Sequence, residues 1–392
     1  MSQTPSEPPS SQTSVDEWKK KYQELEAQLA VAKTLEPILK SAQASQINSG
    51  RAIRRIVDMF ASVRDLVEES SRRVAVLDGG TDEEDPVFTS EQNRMQQSYL
   101  ILIQHVPLLK TLEDSGDASA KEALMTNLRT GSDNARGDDA GKLKVAVVTW
   151  INEKFGLSDP PLKSSSKEER GLHNNHTGRL LCPAIYDWNK PEVQALVRDG
   201  NVDYPITAQD WPAFCYAGNV CDPDDLEKGL FQGPMLLMAF KFIFTAPSSV
   251  EASTDDAGPP PAKRNRRSNG SSPTSSTRNT VSTLIGLKSV SPRAIAYTAV
   301  QLRFALSSSR TWKHEDGLFD NVEFYYAILS YFDDTPGPRA QRRIKVLLEW
   351  WNLEVFGRAA GALKPPSDRR ESSSISKLEA QRRRREEEDE ED

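Results

Sequence analysis

Apolar residues recur every three or four positions through most of the chain, and this spacing constrains the fold more than any other feature. Ile53, Ile56, Phe60, Val63 and Val67 step by 3, 4, 3 and 4. Residues three and four apart share one face of an α-helix, so each such run predicts a buried helical stripe. An earlier seam, Trp18, Tyr22, Leu25, Leu29 and Ala32, has Glu and Lys between its apolar positions, as a helix meeting another helix requires. Asn48-Ser49-Gly50 reads as an interruption between the two seams.

The pattern continues downstream. Helices are predicted over Ser90–Leu112 with Pro107 kinking the last turns, over Ala118–Leu128 and over Lys142–Phe155. Pro191 opens a short helix to Val197, and Gly233-Pro234 opens an apolar one to Phe244. Ser291-Pro292 reads as a cap followed by proline in the first turn of a helix carrying Ile295, Ala299, Leu302 and Leu306. Phe319, Val322, Tyr326 and Leu329 mark the next helix. Ile344, Leu347, Trp351 and Val355 mark the last, with Gly357 placed to stop it. Of the adjacent Trp350 and Trp351, one must face away from the core.

The expected fold class is therefore all-α. An N-terminal helical hairpin or bundle with short coiled-coil-like seams (14–157) precedes a linker at 158–171. A C-terminal helical domain is formed by 172–246 and 281–358. Each seam spans two or three heptads, which favours an ordinary bundle over an extended coiled coil. The first helix is the one expected to project, with Trp18, Tyr22, Leu25 and Leu29 meeting a partner. Residues 1–13, the Ser/Pro-rich insert 247–280 and the tail 359–392 are expected to be disordered, because they offer little apolar surface to offset ordering entropy. They explain why only 37% of the chain is apolar.

Charge adds a second constraint. The formal net charge is −7, yet the last seven residues, Glu386 to Asp392, are all acidic, and without them 50 acids face 50 bases. A block of arginines, Arg382–Arg385, directly precedes the acidic end. Adjacent blocks of opposite sign read as an interaction tail. Lys263, Arg264, Arg266 and Arg267 form a compact basic cluster within the insert, the pattern an importin reads as a nuclear localisation signal. The nucleus is thus the expected compartment, with the cytoplasm as the alternative. No apolar stretch opens the sequence as a secretory signal would, and the ten residues Met235–Phe244 span about 15 Å, half a bilayer core. Neither a membrane partner nor disulfides are expected of Cys182, Cys215 and Cys221.

Gly178-Arg179-Leu180-Leu181-Cys182-Pro183, Gln209-Asp210-Trp211-Pro212, Lys228-Gly229-Leu230, the run Ala239–Ser249, Val300–Ser309 and Glu349-Trp350-Trp351-Asn352 occur in this order. Together the set resembles a domain of unknown function found in proteins of mushroom-forming (basidiomycete) fungi, over about residues 165–357. The segment around 251–280 departs from that pattern as an expanded insert. The resemblance implies no activity, cofactor or catalytic residue.

The residues themselves nominate no catalytic or cofactor-binding group. His173, His176 and Cys182 have the one metal-like spacing, with Cys215 and Cys221 downstream. A zinc site needs four converging ligands, and a buried thiol is the commoner reading of Cys182. Asp222, Asp224 and Asp225 read as the cap of a short helix near Pro223. His105 reads as a partly buried core residue and His314 as a loop residue. No P-loop, dinucleotide glycine motif or G-x-S-x-G is present. The expected function is a non-enzymatic nuclear protein–protein interaction or scaffold protein, with no cofactor. The alternatives are a nucleic-acid- or chromatin-associated protein making weak, salt-dependent contacts through its basic segments, and a metal-dependent enzyme built around His173.

Overall fold

The computed structural model describes residue 20 and residues 40–78, 87–245 and 280–357. Its secondary structure is helical apart from one two-stranded hairpin, so the fold class is all-α. The chain divides into two compact units, Met1–Gly137 and Asp138–Asp392, and the division falls inside a single helix.

In the first unit, α1 covers 40–56. It is followed by α2 (Val63–Asp78), α3 (Ser90–His105), α4 (Pro107–Ser115) and the start of α5 (Ala118–Phe155). The core comprises Ile53, Ile56, Met59, Leu66, Leu102, Leu109, Leu124 and Leu128, among others. Helices α1 and α5 meet through glycines. A methyl group on Gly50 would lie 2.2 Å from the Leu128 carbonyl oxygen, and one on Gly131 would lie 1.9 Å from that of Ile47. Ser132 Oγ, buried in the same contact, lies 3.0 Å from the Gly50 carbonyl oxygen and 2.9 Å from that of Leu128, and shares its proton between them.

Three sequence expectations change here. Asn48-Ser49-Gly50 does not interrupt a helix, since α1 runs through it to residue 56. Ala118–Leu128 and Lys142–Phe155 are not separate but parts of the 38-residue α5. Gly50 and Gly131 serve close approach rather than chain reversal. Conversely, Ile53 to Val67 is not one helix, because residues 57–62 form a corner. Asp58 makes it: Oδ1 accepts the backbone N–H of Phe60 (2.9 Å) and Ala61 (2.8 Å), and Oδ2 accepts Ser98 Oγ–H (3.1 Å). Arg54 Nη1 donates to the carbonyls of Met59 (3.0 Å) and Ala61 (2.8 Å). A carboxylate that satisfies backbone donors locally competes with the helical ladder, and here it wins.

The second unit continues α5 and adds α6 (Asn175–Leu181), α7 (Pro191–Arg198), α8 (Pro234–Phe244), α9 (Val281–Leu284), α10 (Pro292–Leu306), α11 (Asn321–Asp333) and α12 (Pro338–Phe356). Strands β1 (Glu315–Asp316) and β2 (Phe319–Asp320) pair in antiparallel fashion around Gly317, whose φ is +67°. Helix α10 is the centre. Ala294 through Leu302 are wholly enclosed, with α6, α8 and α11 packed against it. Ser291 caps its start, accepting the Ala294 N–H as the sequence predicts. A buried polar relay crosses to α5: Gln301 Nε2 donates to Tyr297 Oη (3.0 Å), which donates to Asp139 Oδ2 (2.8 Å). Trp351 is buried against Phe240 while Trp350 is half-buried, so the pair divides as expected.

The C-terminal end of α10 is held by two cations from the segment read as a linker. Lys167 Nζ donates to the carbonyls of Phe304 and Ser309 (2.6 Å to the latter) and sits 3.5 Å from the centre of the Phe304 ring. Arg170 donates to the carbonyls of Ala305 (2.7 Å), Lys144 (2.6 Å) and Lys163 (3.0 Å).

Two stability outcomes follow. Gly131→Ala should lower stability by about 1–3 kcal/mol through overpacking, whereas Gly141→Ala, in the same helix with open space at its Cβ, should raise it by about 1 kcal/mol. Urea unfolding of the two variants checks the contrast. Burial, reinforced by Arg170, pushes Lys167 from 10.5 down to about 7. Between those values the unfolded chain binds the proton and the folded chain does not. Stability should therefore rise as pH increases from about 7 towards 10. Lys167→Met should flatten that rise in urea titrations across this range.

Candidate functional site

The C-terminal half of α6 begins the site. Asn174 caps α6 by accepting the N–H groups of His176 (3.0 Å) and Thr177 (3.2 Å). Gly178 then leaves room for an indole: a methyl there would lie 2.5 Å from Trp188 Cζ2. Trp188 packs with Cys182, Val193 and Val197, and Tyr186 and Tyr204 lie against this cluster with their rings 5.1 Å apart.

Loop crossings set the opposite wall. Ala184 N–H donates to Trp211 O (3.0 Å) and Ala213 N–H to Cys182 O (2.9 Å). Ala217 N–H donates to Gly229 O (2.8 Å), and Gly233 N–H to Cys215 O (3.2 Å). Cys221 Sγ–H reaches back to Ala184 O (3.0 Å).

Between these walls lies a groove of about 410 Å³, lined by Cys182, Tyr186, Trp188, Asn219, Cys221 and Leu226 among others. Its rim is apolar and open: Ile185 is 54% exposed, Val220 63% and Leu226 50%. Two polar groups in its lining lack partners. Trp188 is only 7% exposed, and its indole N–H has no acceptor among the described residues. Asn219 Oδ1 likewise has no donor, and Asn219 holds a left-handed backbone with φ of +61°. An unpaired buried polar group costs about 1–3 kcal/mol, and a non-glycine residue in the left-handed region is strained.

The mouth is charged unevenly. Asp222 pairs with Lys228 (2.9 Å) and Asp187 faces Lys190 (3.9 Å). Asp224 and Asp225, on the turn that carries Pro223 and Leu226, make no ion pair among the described residues, while Arg179 lies on the wall. This acidic stretch is a turn rather than the expected helix start. Asp225 N–H donates to Asp222 O (3.1 Å) and Lys228 N–H to Asp225 O (3.1 Å), successive turns that do not continue into an α-helix.

Trp18, Tyr22, Leu25 and Leu29, and Lys263, Arg264, Arg266 and Arg267, lie outside the described residues. His173 is exposed and His176 stacks on Phe155 with ring centres 5.5 Å apart. Cys182 is buried, and burial pushes its thiol up to about 12. Among the described residues no group of three His, Cys, Asp or Glu is placed to hold a metal ion. His105 is half-buried, and burial lowers its pKa; His314 is exposed. A second cavity, of about 440 Å³ in the first unit, carries Arg54, Arg64, Arg129 and Arg136. Asp133 faces three of them and Glu122 the fourth. No spacing in the sequence marks the groove; Trp188, set between the turn-forming Asp187 and Asn189, is the usable hint.

A model described as a family of unknown function, DUF6698, matches residues 130–356, more than half of the chain. The match begins within α5, at residue 130, and so reaches further towards the N-terminus than the resemblance over about 165–357. No curated protein and no solved structure matches the chain. No helix among the described residues is long and apolar enough to cross a membrane.

All three cysteines are free, and burial raises each thiol pKa. Only Cys221 retains appreciable exposure, 8%, at the groove mouth. Alkylation of the native protein followed by mass spectrometry should label Cys221 first, then Cys182, and Cys215 last.

Proposed function

We propose that this chain, which belongs to the DUF6698 family of unknown function, is a nuclear protein–protein interaction or scaffold protein that binds a peptide segment in the groove beside Trp188. One observation carries the reading. A groove combines an open apolar rim with a buried donor, Trp188 N–H, and an acceptor, Asn219 Oδ1, that the fold leaves unpaired. Exposed apolar residues grouped around unmet hydrogen-bonding groups suit an extended peptide, which supplies both side chains and backbone partners. The seam Trp18, Tyr22, Leu25 and Leu29 and the charged tail beyond Gln381 are proposed as further contact elements. The seam would act as a short coiled coil. Lys263, Arg264, Arg266 and Arg267 are proposed as the importin-read signal, and a mushroom-forming fungus as the source.

The test uses the full chain as bait. Proteins recovered with the wild type should be lost with Ile185→Glu/Val220→Glu, two rim changes at exposed positions that should leave unfolding unchanged. Recovery unaffected by those changes would remove the groove from the proposal. In parallel, a fluorescent fusion should leave the nucleus when Lys263, Arg264, Arg266 and Arg267 become Ala. Tight duplex DNA binding at physiological salt would favour the nucleic-acid reading instead.

A further inference from the structure

We infer that the arginine-lined cavity of the first unit is a binding site for a small organic phosphate. It shares no residue with the groove beside Trp188 and does not depend on the reading of that groove.

Sequence spacing builds one wall. Glu122, Met125, Arg129, Asp133 and Arg136 follow one another at 3, 4, 4 and 3 residues, so a single face of α5 lines the cavity. Arg54 comes from α1 and Arg64 from the first turn of α2.

Charge names the ligand. Four guanidinium groups line about 440 Å³ with only two carboxylates among the described residues, an excess of two positive charges. Arg64 Nη2 donates to Glu122 Oε1 (2.6 Å). The other three converge on Asp133. Arg54 Nη2 (3.8 Å) and Arg136 Nη2 (3.7 Å) approach Oδ1, and Arg129 Nε (3.8 Å) approaches Oδ2. Charge-assisted hydrogen bonds are about 2.7–2.9 Å long, so Asp133 gathers these groups without accepting a hydrogen bond from any of them. Cations held this close repel one another, and an anion of two charges relieves that repulsion. A phosphate dianion suits the arrangement, because its oxygens accept from several guanidinium forks at once.

Placement supports the same ligand. Arg54 Nη1 donates to the carbonyls of Met59 (3.0 Å) and Ala61 (2.8 Å), so the corner fixes this side chain before any ligand arrives. At the start of the 16-residue α2, Ser62 N–H is taken by Asp65 (3.0 Å). The N–H groups of Val63 and Arg64, in the wall of the cavity, have no acceptor among the described residues. The end of a helix that carries such groups favours an anion.

Size and surface select an ester over a bare ion. Small-molecule sites enclose about 300–1,000 Å³, and this cavity falls in that range, more than one phosphate group fills. Ile53, Val63 and Met125 are buried and give its lining an apolar part, which suits the carbon portion of an ester.

Isothermal titration calorimetry of the full chain tests this, in phosphate-free buffer of low ionic strength at about pH 7.5, where a phosphate ester is mostly dianionic. Phenyl phosphate should bind several-fold more tightly than inorganic phosphate, and more tightly than benzenesulfonate, which carries one charge. Arg129→Ala/Arg136→Ala changes side chains that are 80% and 26% exposed. It should weaken phenyl phosphate about tenfold or more and leave urea unfolding unchanged. Asp133→Asn removes the competing carboxylate and should tighten binding several-fold, a gain that misfolding cannot produce. Arg342→Ala/Lys345→Ala, at exposed positions of α12, should leave binding unchanged. Absence of phenyl phosphate binding, binding indifferent to Arg129 and Arg136, or equal loss in the α12 variant would each overturn the inference. Duplex DNA that binds through Arg129 and Arg136 where phenyl phosphate does not would also overturn it, and would assign these arginines to a nucleic-acid backbone.

Discussion

A helix enclosed on every side has no water to receive its last carbonyls, and that problem organises the second unit. Four carbonyls at a helix C-terminus lack intrahelical partners. At the end of α10, Lys167 and Arg170 take the place of water, answering Phe304 and Ala305 and fastening 158–171 onto the core. The consequences run directly to the groove. Gly171, next to Arg170, adopts a φ of +82° against Ser308, and its carbonyl accepts Thr177 Oγ1–H (2.7 Å). That bond sets the start of α6, and α6 carries the Gly178 that seats Trp188. The groove floor therefore inherits its position from the two basic side chains, Lys167 and Arg170, at the end of α10.

The motifs that carry the family resemblance lie mainly on this scaffold. Gly178–Pro183 and Gln209–Pro212 are stitched to each other, and Lys228-Gly229-Leu230 is stitched to the turn after Tyr216. Arg303 is buried, pairs with Asp316 (3.1 Å) and lies 3.6 Å from the centre of the Phe319 ring. Trp351 fills the core, and Asn352 Oδ1 accepts Val290 N–H (2.7 Å). The open rim residues Ile185, Val220 and Leu226 fall between the motifs. Such a division suits a fixed frame that presents a surface.

What the sequence discloses depends on whether its signal is local. Ser291-Pro292, Pro191 and Gly357 state helix ends through their own backbone preferences, and the structure places ends there. Gly50 and Gly131 carry the same letter as a breaker, but the meaning of each lies in a carbonyl far along the chain, that of Leu128 for Gly50 and of Ile47 for Gly131. Asp58 looks like any surface acid until its two backbone donors are in view. Lys167 and Arg170 read as solvated linker cations because the helix end they serve is 135 residues or more downstream. The site was less legible still. An unpaired Trp188 N–H is defined by what three-dimensional space leaves out, and no spacing rule reports an absent neighbour.

That absence is also the strongest argument that the groove has a purpose. Trp188 N–H without an acceptor and Asn219 in a left-handed conformation each cost the folded chain on the order of 1–3 kcal/mol. Neither is required to close the core, since Gly178 seats the indole whatever its nitrogen meets. On the reading proposed above, these local costs are interactions held open for a ligand, with the open rim distinguishing Trp188 from Trp351, whose indole nitrogen, in the closed core, lacks a partner among the described residues. A carbonyl delivered to Trp188 recovers a hydrogen bond whose desolvation has already occurred, so the gain on binding approaches the full value of the bond rather than the small net value of an exchange with water. The same reasoning explains an apolar rim: by excluding water from the mouth, Ile185, Val220 and Leu226 would strengthen the contact beneath them. A peptide that brings a carbonyl for Trp188 N–H and an N–H for Asn219 Oδ1 gains most from this arrangement.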